Sequence, residues 1–177
     1  MASEHLVTLR RKVDAHFDAT AERDGDAITC TAGCAQCCHR RFDVFEVEAA
    51  PIRAALAALE RDQPGVRARV RAQADAPTHS ERCPLLVDDR CTIYAQRPLI
   101  CRSHGLPVAV EDNDALHVSW CTLNYRDGDP PSESIVLLEA INAPLAMLTE
   151  LEAPDAPRVP LASLARAPAA PNDDLAR

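Results

Sequence analysis

Aromatic side chains are scarce in this chain: they make up 3% of its 177 residues, with a single tryptophan. A core organised around large rings is excluded, and buried volume must come from Ala, Leu, Val and Ile, which fill space in smaller increments. Lysine is nearly absent too; of 19 basic residues only Lys12 is not an arginine, and 27 acidic residues leave a formal charge of −8. The arginines are interleaved with acids, so no basic face exists to track phosphates, and no nucleic-acid partner is expected. Apolar runs are short. Even Ile135–Leu148 is broken by Glu139 and Asn142, where a membrane helix needs roughly 18 uncharged apolar residues, so no membrane partner is expected. The N-terminal residues lack the basic start and apolar stretch of a secretory signal, and the expected location is cytoplasmic. No segment carries a catalytic constellation, so no catalytic residue is assigned and an enzyme is not the first expectation.

What the chain has is sulfur. Cys30, Cys34, Cys37 and Cys38 put four thiols into nine residues, and Cys83, Cys91, Cys101 and Cys121 supply four more. In a reducing cytosol an even number of cysteines points away from stable disulfides, whereas an exported chain would be read as a disulfide-stapled interaction module. Buried inert cysteines would account for one or two such residues but not for this crowding. Metal ligation is the leading reading. Zinc takes four soft ligands in a tetrahedron, and a pair separated by two residues, as in Cys34-Ala-Gln-Cys37, wraps one ion from both sides of a tight turn. Cys38 cannot easily present its sulfur to the same side and is free to serve a second metal or bridge two. Iron–sulfur ligation uses the same donors at similar spacing. Eight thiolates satisfy two four-sulfur sites, one binuclear cluster, or one iron–sulfur cluster with spare ligands, and residue order does not choose among them. A redox role would need an exposed low-pKa thiol near positive charge, for which Cys101 beside Arg102 and His104 is the candidate. His39 and His104 are weaker ligand candidates, since a histidine beside a site more often hydrogen-bonds to it from outside.

The length suits one domain. The expected fold is α-rich α+β: a small single domain over residues 1–152, with helices packed around an irregular cysteine-rich metal-binding core and short hairpins. The Ala/Pro-rich segment 153–177, with its five prolines, is expected to be a disordered tail. Ser3 caps a first helix with Leu6, Leu9, Val13 and Phe17 on one face, ending near Gly25. Pro51 falls in the first turn of a second helix with Ile52, Leu56 and Leu59 inward. A third helix restarts at Pro64, with Arg67, Arg69 and Arg71 on solvated faces. Asp88-Asp89-Arg90 is a turn that brings Cys83 and Cys91 together as a knuckle, and Pro98 starts a helical turn toward Cys101. A hairpin flanks Glu111–Asp114, and Ser132 caps a last helix through Leu148, bent at Pro144. Trp120, Tyr94 and Tyr125 are expected to pack around the cysteines. A structural thiolate site contributes roughly 10–16 kcal/mol in apparent binding free energy, against the roughly 5–15 kcal/mol net stability of a domain, so metal can decide whether the middle of the chain folds.

Cys34-Ala-Gln-Cys37-Cys38, Cys83-Pro-Leu-Leu, Cys91-Thr-Ile-Tyr-Ala-Gln-Arg-Pro-Leu-Ile-Cys101-Arg and the late Cys121 resemble the YkgJ-type bacterial cysteine-cluster proteins, whose shared segment is described as a zinc- or iron-chelating domain with a CxxCxxCC signature. The resemblance covers about residues 30–125 and implies metal binding by these cysteines, with zinc or iron as the bound group. The chain departs from the usual pattern in one place, where three residues rather than two separate Cys30 from Cys34. A similar cluster segment occurs in flagellin lysine methylases, so an iron–sulfur cluster with a redox or S-adenosylmethionine-linked methyl-transfer role is the alternative function that the resemblance implies.

Overall fold

The computed structural model describes residues 3–76, 81–113 and 115–168. Helix α1 (Glu4–Asp24) begins where the Ser3 side chain accepts the Leu6 N–H at 3.3 Å and stops at Gly25, whose φ of +53° suits a residue without Cβ. Leu6 and Val13 on its inner face meet Ile141, Leu145 and Leu148 of α5 (Leu138–Glu152), with Val47 and Leu99, in one of two apolar clusters. The second cluster joins α2 (Glu46–Asp62), α3 (Pro64–Asp75) and α6 (Leu161–Arg166) through Ile52, Leu56, Val70, Leu161 and Leu164. Both are built from aliphatic residues, as the shortage of aromatics requires.

The sheets are small. β1 (Asp43–Val44) pairs antiparallel with β7 (Val159–Pro160), and β2 (Leu86–Val87) with β3 (Arg90–Cys91). Asp88 and Asp89 turn that hairpin at φ of +51° and +55°, the left-handed pair that a tight two-residue turn demands. β4 (Val108–Asp112) is the middle strand of three, antiparallel to β5 (Ala115–Ser119) and parallel to β6 (Val136–Leu137). The helix α4 (Leu99–Ser103) follows Pro98 and leads through Cys101. The α-rich α+β expectation is met.

Four local expectations are corrected. The second helix starts at Glu46, so Pro51 lies inside it rather than in its first turn. The last long helix starts at Leu138, because Val136 and Leu137 pair with Val108 and Ala109 as a strand. Arg67 is not on a solvated face: it is 1% exposed and donates to the carbonyls of Ala165 and Ala167, both at 2.6 Å. Those carbonyls belong to the segment expected to be a disordered tail. Through residue 168 that segment is ordered instead, with Leu161 and Leu164 in the core and the Leu161 N–H bonded to the Phe42 carbonyl at 3.0 Å. Two well-spaced leucines, with the hydrogen bonds to Arg67 and Phe42, dock a six-residue helix despite the surrounding prolines; the remaining tail positions, 169–177, lie outside the described residues.

Replacing Leu164 by Ala is therefore expected to lower stability by about 2–4 kcal/mol in urea unfolding. An unchanged midpoint would mean that α6 is not part of the packed fold.

Candidate metal centre

The two cysteine-bearing halves meet through the main chain. The Cys83 N–H donates to the Cys38 carbonyl at 2.7 Å, setting the 3-10 turn Gln36–Cys38 against the start of the β2–β3 hairpin. The hairpin register then places Cys91 opposite Leu86. Farther along, α4 brings in Cys101. Its N-terminus is fixed by buried Glu48, whose carboxylate accepts the Leu99 N–H at 2.7 Å, an anion at the positive end of a helical turn. Arg102, next to Cys101, is 7% exposed. It ion-pairs with Asp14 of α1 and donates to the Arg97 and Ala95 carbonyls at 3.0 and 2.6 Å. This arginine therefore clamps the backbone between Cys91 and Cys101 rather than standing free to neutralise sulfur.

Around this junction lies a cavity of about 530 Å³, lined by Cys30, Cys34, Cys37, Cys38, Cys83, Cys91 and Cys101. Seven of the eight sequence-predicted residues are brought together; Cys121 is not on its wall. All eight are free thiols; Cys34 is exposed and the other seven are half-buried. Among the described residues, no three Cys, His, Asp or Glu side chains yet converge tightly enough to hold a cation as they stand. The sulfurs surround a shared space.

Burial makes these thiols costly to ionise. It pushes Cys83 up to about 11 and also raises Cys91 and Cys101. The Cys37 thiol donates to Cys38, which raises Cys37 and lowers Cys38. The raised Cys101 overturns its reading as a low-pKa redox thiol. Against this cost the backbone aims donors at sulfur: the N–H of Leu85 bonds to Cys83 and that of Ile93 to Cys91, each from two residues downstream. Both halves of the predicted knuckle thus carry amide N–H groups that favour thiolate. Soft donors from several segments and amide support fit a zinc or iron ion, or an iron–sulfur cluster. When bound, such a group would supply the positive charge that lets these buried thiols ionise.

Of the histidines, His39 is exposed and off the cavity wall. His104 lines the cavity, but its Nδ1 donates to the Ile100 carbonyl and its ring packs edge-on to Phe42 at 5.3 Å, which leaves Nε2 as the free nitrogen. Trp120 and Tyr125 pack edge-to-face at 6.3 Å, and the Tyr125 hydroxyl donates to Asp24 at 2.6 Å. Tyr94 instead is 64% exposed at the cavity wall, with the Arg97 guanidinium 4.0 Å above its ring.

Two residues escaped the sequence reading. Asn124 is 1% exposed; its Nδ2 donates to the Gly105 carbonyl at 2.8 Å and to Cys30 Sγ at 3.5 Å, while its Oδ1 accepts the Thr29 N–H at 2.9 Å. A single buried amide thus ties Cys30 to the segments after Cys101 and Cys121. Gly105 has φ of +99°, and a Cβ there would stand 2.6 Å from Cys30 Sγ. Only the position of Asn124 three residues after Cys121 hinted at either.

Gly105→Ala should accordingly cost more than about 1 kcal/mol in urea unfolding and displace Cys30, read as faster alkylation of that thiol. Unchanged stability and unchanged Cys30 reactivity would show that the close approach is not needed.

Residues 29–122, more than half of the chain, match a family model described as CxxCxxCC: Putative zinc- or iron-chelating domain. No curated protein and no solved structure matches the chain. The matched span runs from the residue before Cys30 to the residue after Cys121, enclosing every thiol of the cavity, and the chain belongs to this CxxCxxCC family of zinc- or iron-chelating domains.

Proposed function

We propose that the protein binds zinc or iron through Cys30, Cys34, Cys37, Cys38, Cys83, Cys91, Cys101 and Cys121, in the cytoplasm, with the metal ion as its partner. The observation that carries this reading is the convergence of seven thiols from widely separated positions on one cavity wall. Thiolates are soft donors that select zinc and iron–sulfur centres over magnesium or calcium, which prefer oxygen. Among the described residues no helix is long and apolar enough to cross a membrane.

A second reading, an iron–sulfur cluster with a redox or S-adenosylmethionine-linked role, draws on the same sulfurs. The cavity of about 530 Å³ has room for such a cluster. Purification without oxygen, followed by metal analysis and a visible spectrum, separates the two: a colourless protein carrying zinc supports the first, and a brown one carrying iron and sulfide the second. Free-thiol counting under denaturant tests the disulfide module.

Cys37→Ser and Cys91→Ser are each expected to lower bound metal by half or more and to lower the thermal midpoint. Exposed Glu150→Gln on α5 should change neither. Metal content unchanged in both cysteine variants would refute the assignment.

A further inference from the structure

The cavity wall carries one metal-binding group besides sulfur that suits a zinc ion. Among the described residues that line it, His104 is the only histidine. It caps the C-terminus of α4, three residues after Cys101, a spacing that sets two side chains on one face of a helical turn. Immediately beyond it the backbone abuts the first cysteine, for a Cβ on Gly105 would stand 2.6 Å from Cys30 Sγ. His104 is thus flanked by chain that carries Cys101 and by chain that touches Cys30, two thiols from opposite halves of the sequence.

The state of its ring follows from its partner. A carbonyl oxygen only accepts, so the bond between Nδ1 and the Ile100 carbonyl places the proton of the neutral imidazole on Nδ1 and the lone pair on Nε2. Nε2 has no hydrogen bond among the described residues. Phe42, also on the cavity wall, fixes the ring a second time by meeting it edge-on at 5.3 Å. Anchoring one ring nitrogen on a backbone carbonyl is how proteins orient an imidazole whose other nitrogen binds metal. A histidine that supported a bound thiolate from outside would instead donate an N–H to sulfur. Here the single N–H of the neutral ring is already spent on Ile100. The thiols can donate to Nε2 only while they keep their protons, and ligation removes those protons.

We propose that His104 Nε2 is a zinc ligand, joining the cysteines of the cavity in a mixed sulfur–nitrogen centre. The inference extends the thiolate metal-binding reading and rests on it. Zinc accepts imidazole and thiolate together in one tetrahedron. A neutral nitrogen in place of a thiolate also removes one negative charge from the centre, which counts where partly buried sulfurs share one space. His39 has no such role: it follows Cys38 directly in sequence, yet it is exposed and off the wall.

X-ray absorption at the zinc edge tests this. The full chain, stripped of metal and reduced, is loaded with zinc alone and freed of excess by gel filtration. A sulfur shell at about 2.3 Å is expected together with a nitrogen shell at about 2.0–2.1 Å that carries the outer scattering of an imidazole ring. In His104→Asn the side-chain amide keeps a donor for the Ile100 carbonyl but has nothing in the place of Nε2. The imidazole signal should vanish there while the sulfur shell stays, and His39→Asn should keep both. If His104→Asn loses its helical circular dichroism, a chain in which His104 is the only histidine left takes its place and should retain the imidazole signal. Sulfur scattering alone in the unsubstituted chain, an imidazole signal that survives His104→Asn, or its absence from the chain keeping only His104, overturns the assignment and leaves thiolate binding intact. No bound zinc in the unsubstituted chain overturns the zinc reading itself.

Discussion

The cost of ionising half-buried sulfur is the constraint on which this molecule turns. Packing thiols from both halves of a chain around one cavity raises the free energy of their ionised form, because burial strips water from each anion and the others repel it. Three kinds of interaction oppose that cost within the protein itself. Amide N–H groups of Leu85, Ile93 and Asn124 point at sulfur, the Cys37 thiol donates to Cys38, and the Arg97 charge favours the thiolates of Cys37 and Cys91. None of these carries two full positive charges, which is what a dipositive ion would add.

The rest of the architecture brings the sulfurs near one another. One aliphatic cluster seats α1 against α5, and the other joins α2, α3 and α6. Buried arginines then tie the loops to these layers. Arg102 links Asp14 of α1 to the backbone between two cysteines, and Arg67 links α3 to the end of α6. Removing either side chain would take a donor from carbonyl oxygens that are wholly or partly buried, which is why buried arginine here acts as a clamp rather than as a surface charge. A chain poor in aromatics gains from such devices, since its apolar packing comes from small increments.

Much of this was legible in order of residues. Ser3, the four-residue rhythm of Leu6 to Phe17 and Gly25 specified α1; Asp88-Asp89 specified the knuckle; Pro98 marked the start of α4. These features are local, each set by capping, turn stereochemistry or proline. What was not legible depends on distant partners. Arg67 looks like its neighbours Arg69 and Arg71 until α6 covers it, and α6 looks like a proline-rich tail until β7 pairs with β1 and seats Leu161 and Leu164. Val136 and Leu137 continue a helical rhythm in sequence, yet pairing with β4 takes them into a strand. At the site the sulfurs announced themselves by type and spacing, whereas Asn124 and Gly105 matter only because Cys30 folds against them.

The same geometry bears on how metal binding and folding are coupled. In a small zinc finger the ion stands in for a core, and the apo chain is unfolded. Here the two aliphatic clusters draw most of their members from helices that carry no cysteine, apart from the short α4, with Val44, Leu85, Val87 and Ile93 joining one of them from strands and turns. The thiol-bearing segments are different: the turn at Gln36–Cys38, the two-residue strands around Asp88 and the loop after β5 each have few hydrogen bonds of their own. Their order depends on contacts across the cavity, so a bound ion would act where the intrinsic structure is weakest. Cys83 and Cys91 form the bridge between these regimes, because they face the cavity and also touch the core of Leu85, Val87 and Ile93. Tightening them on an ion would draw the hairpin onto that core, and the free energy of ligation would appear as local order at the junction more than as formation of the helices.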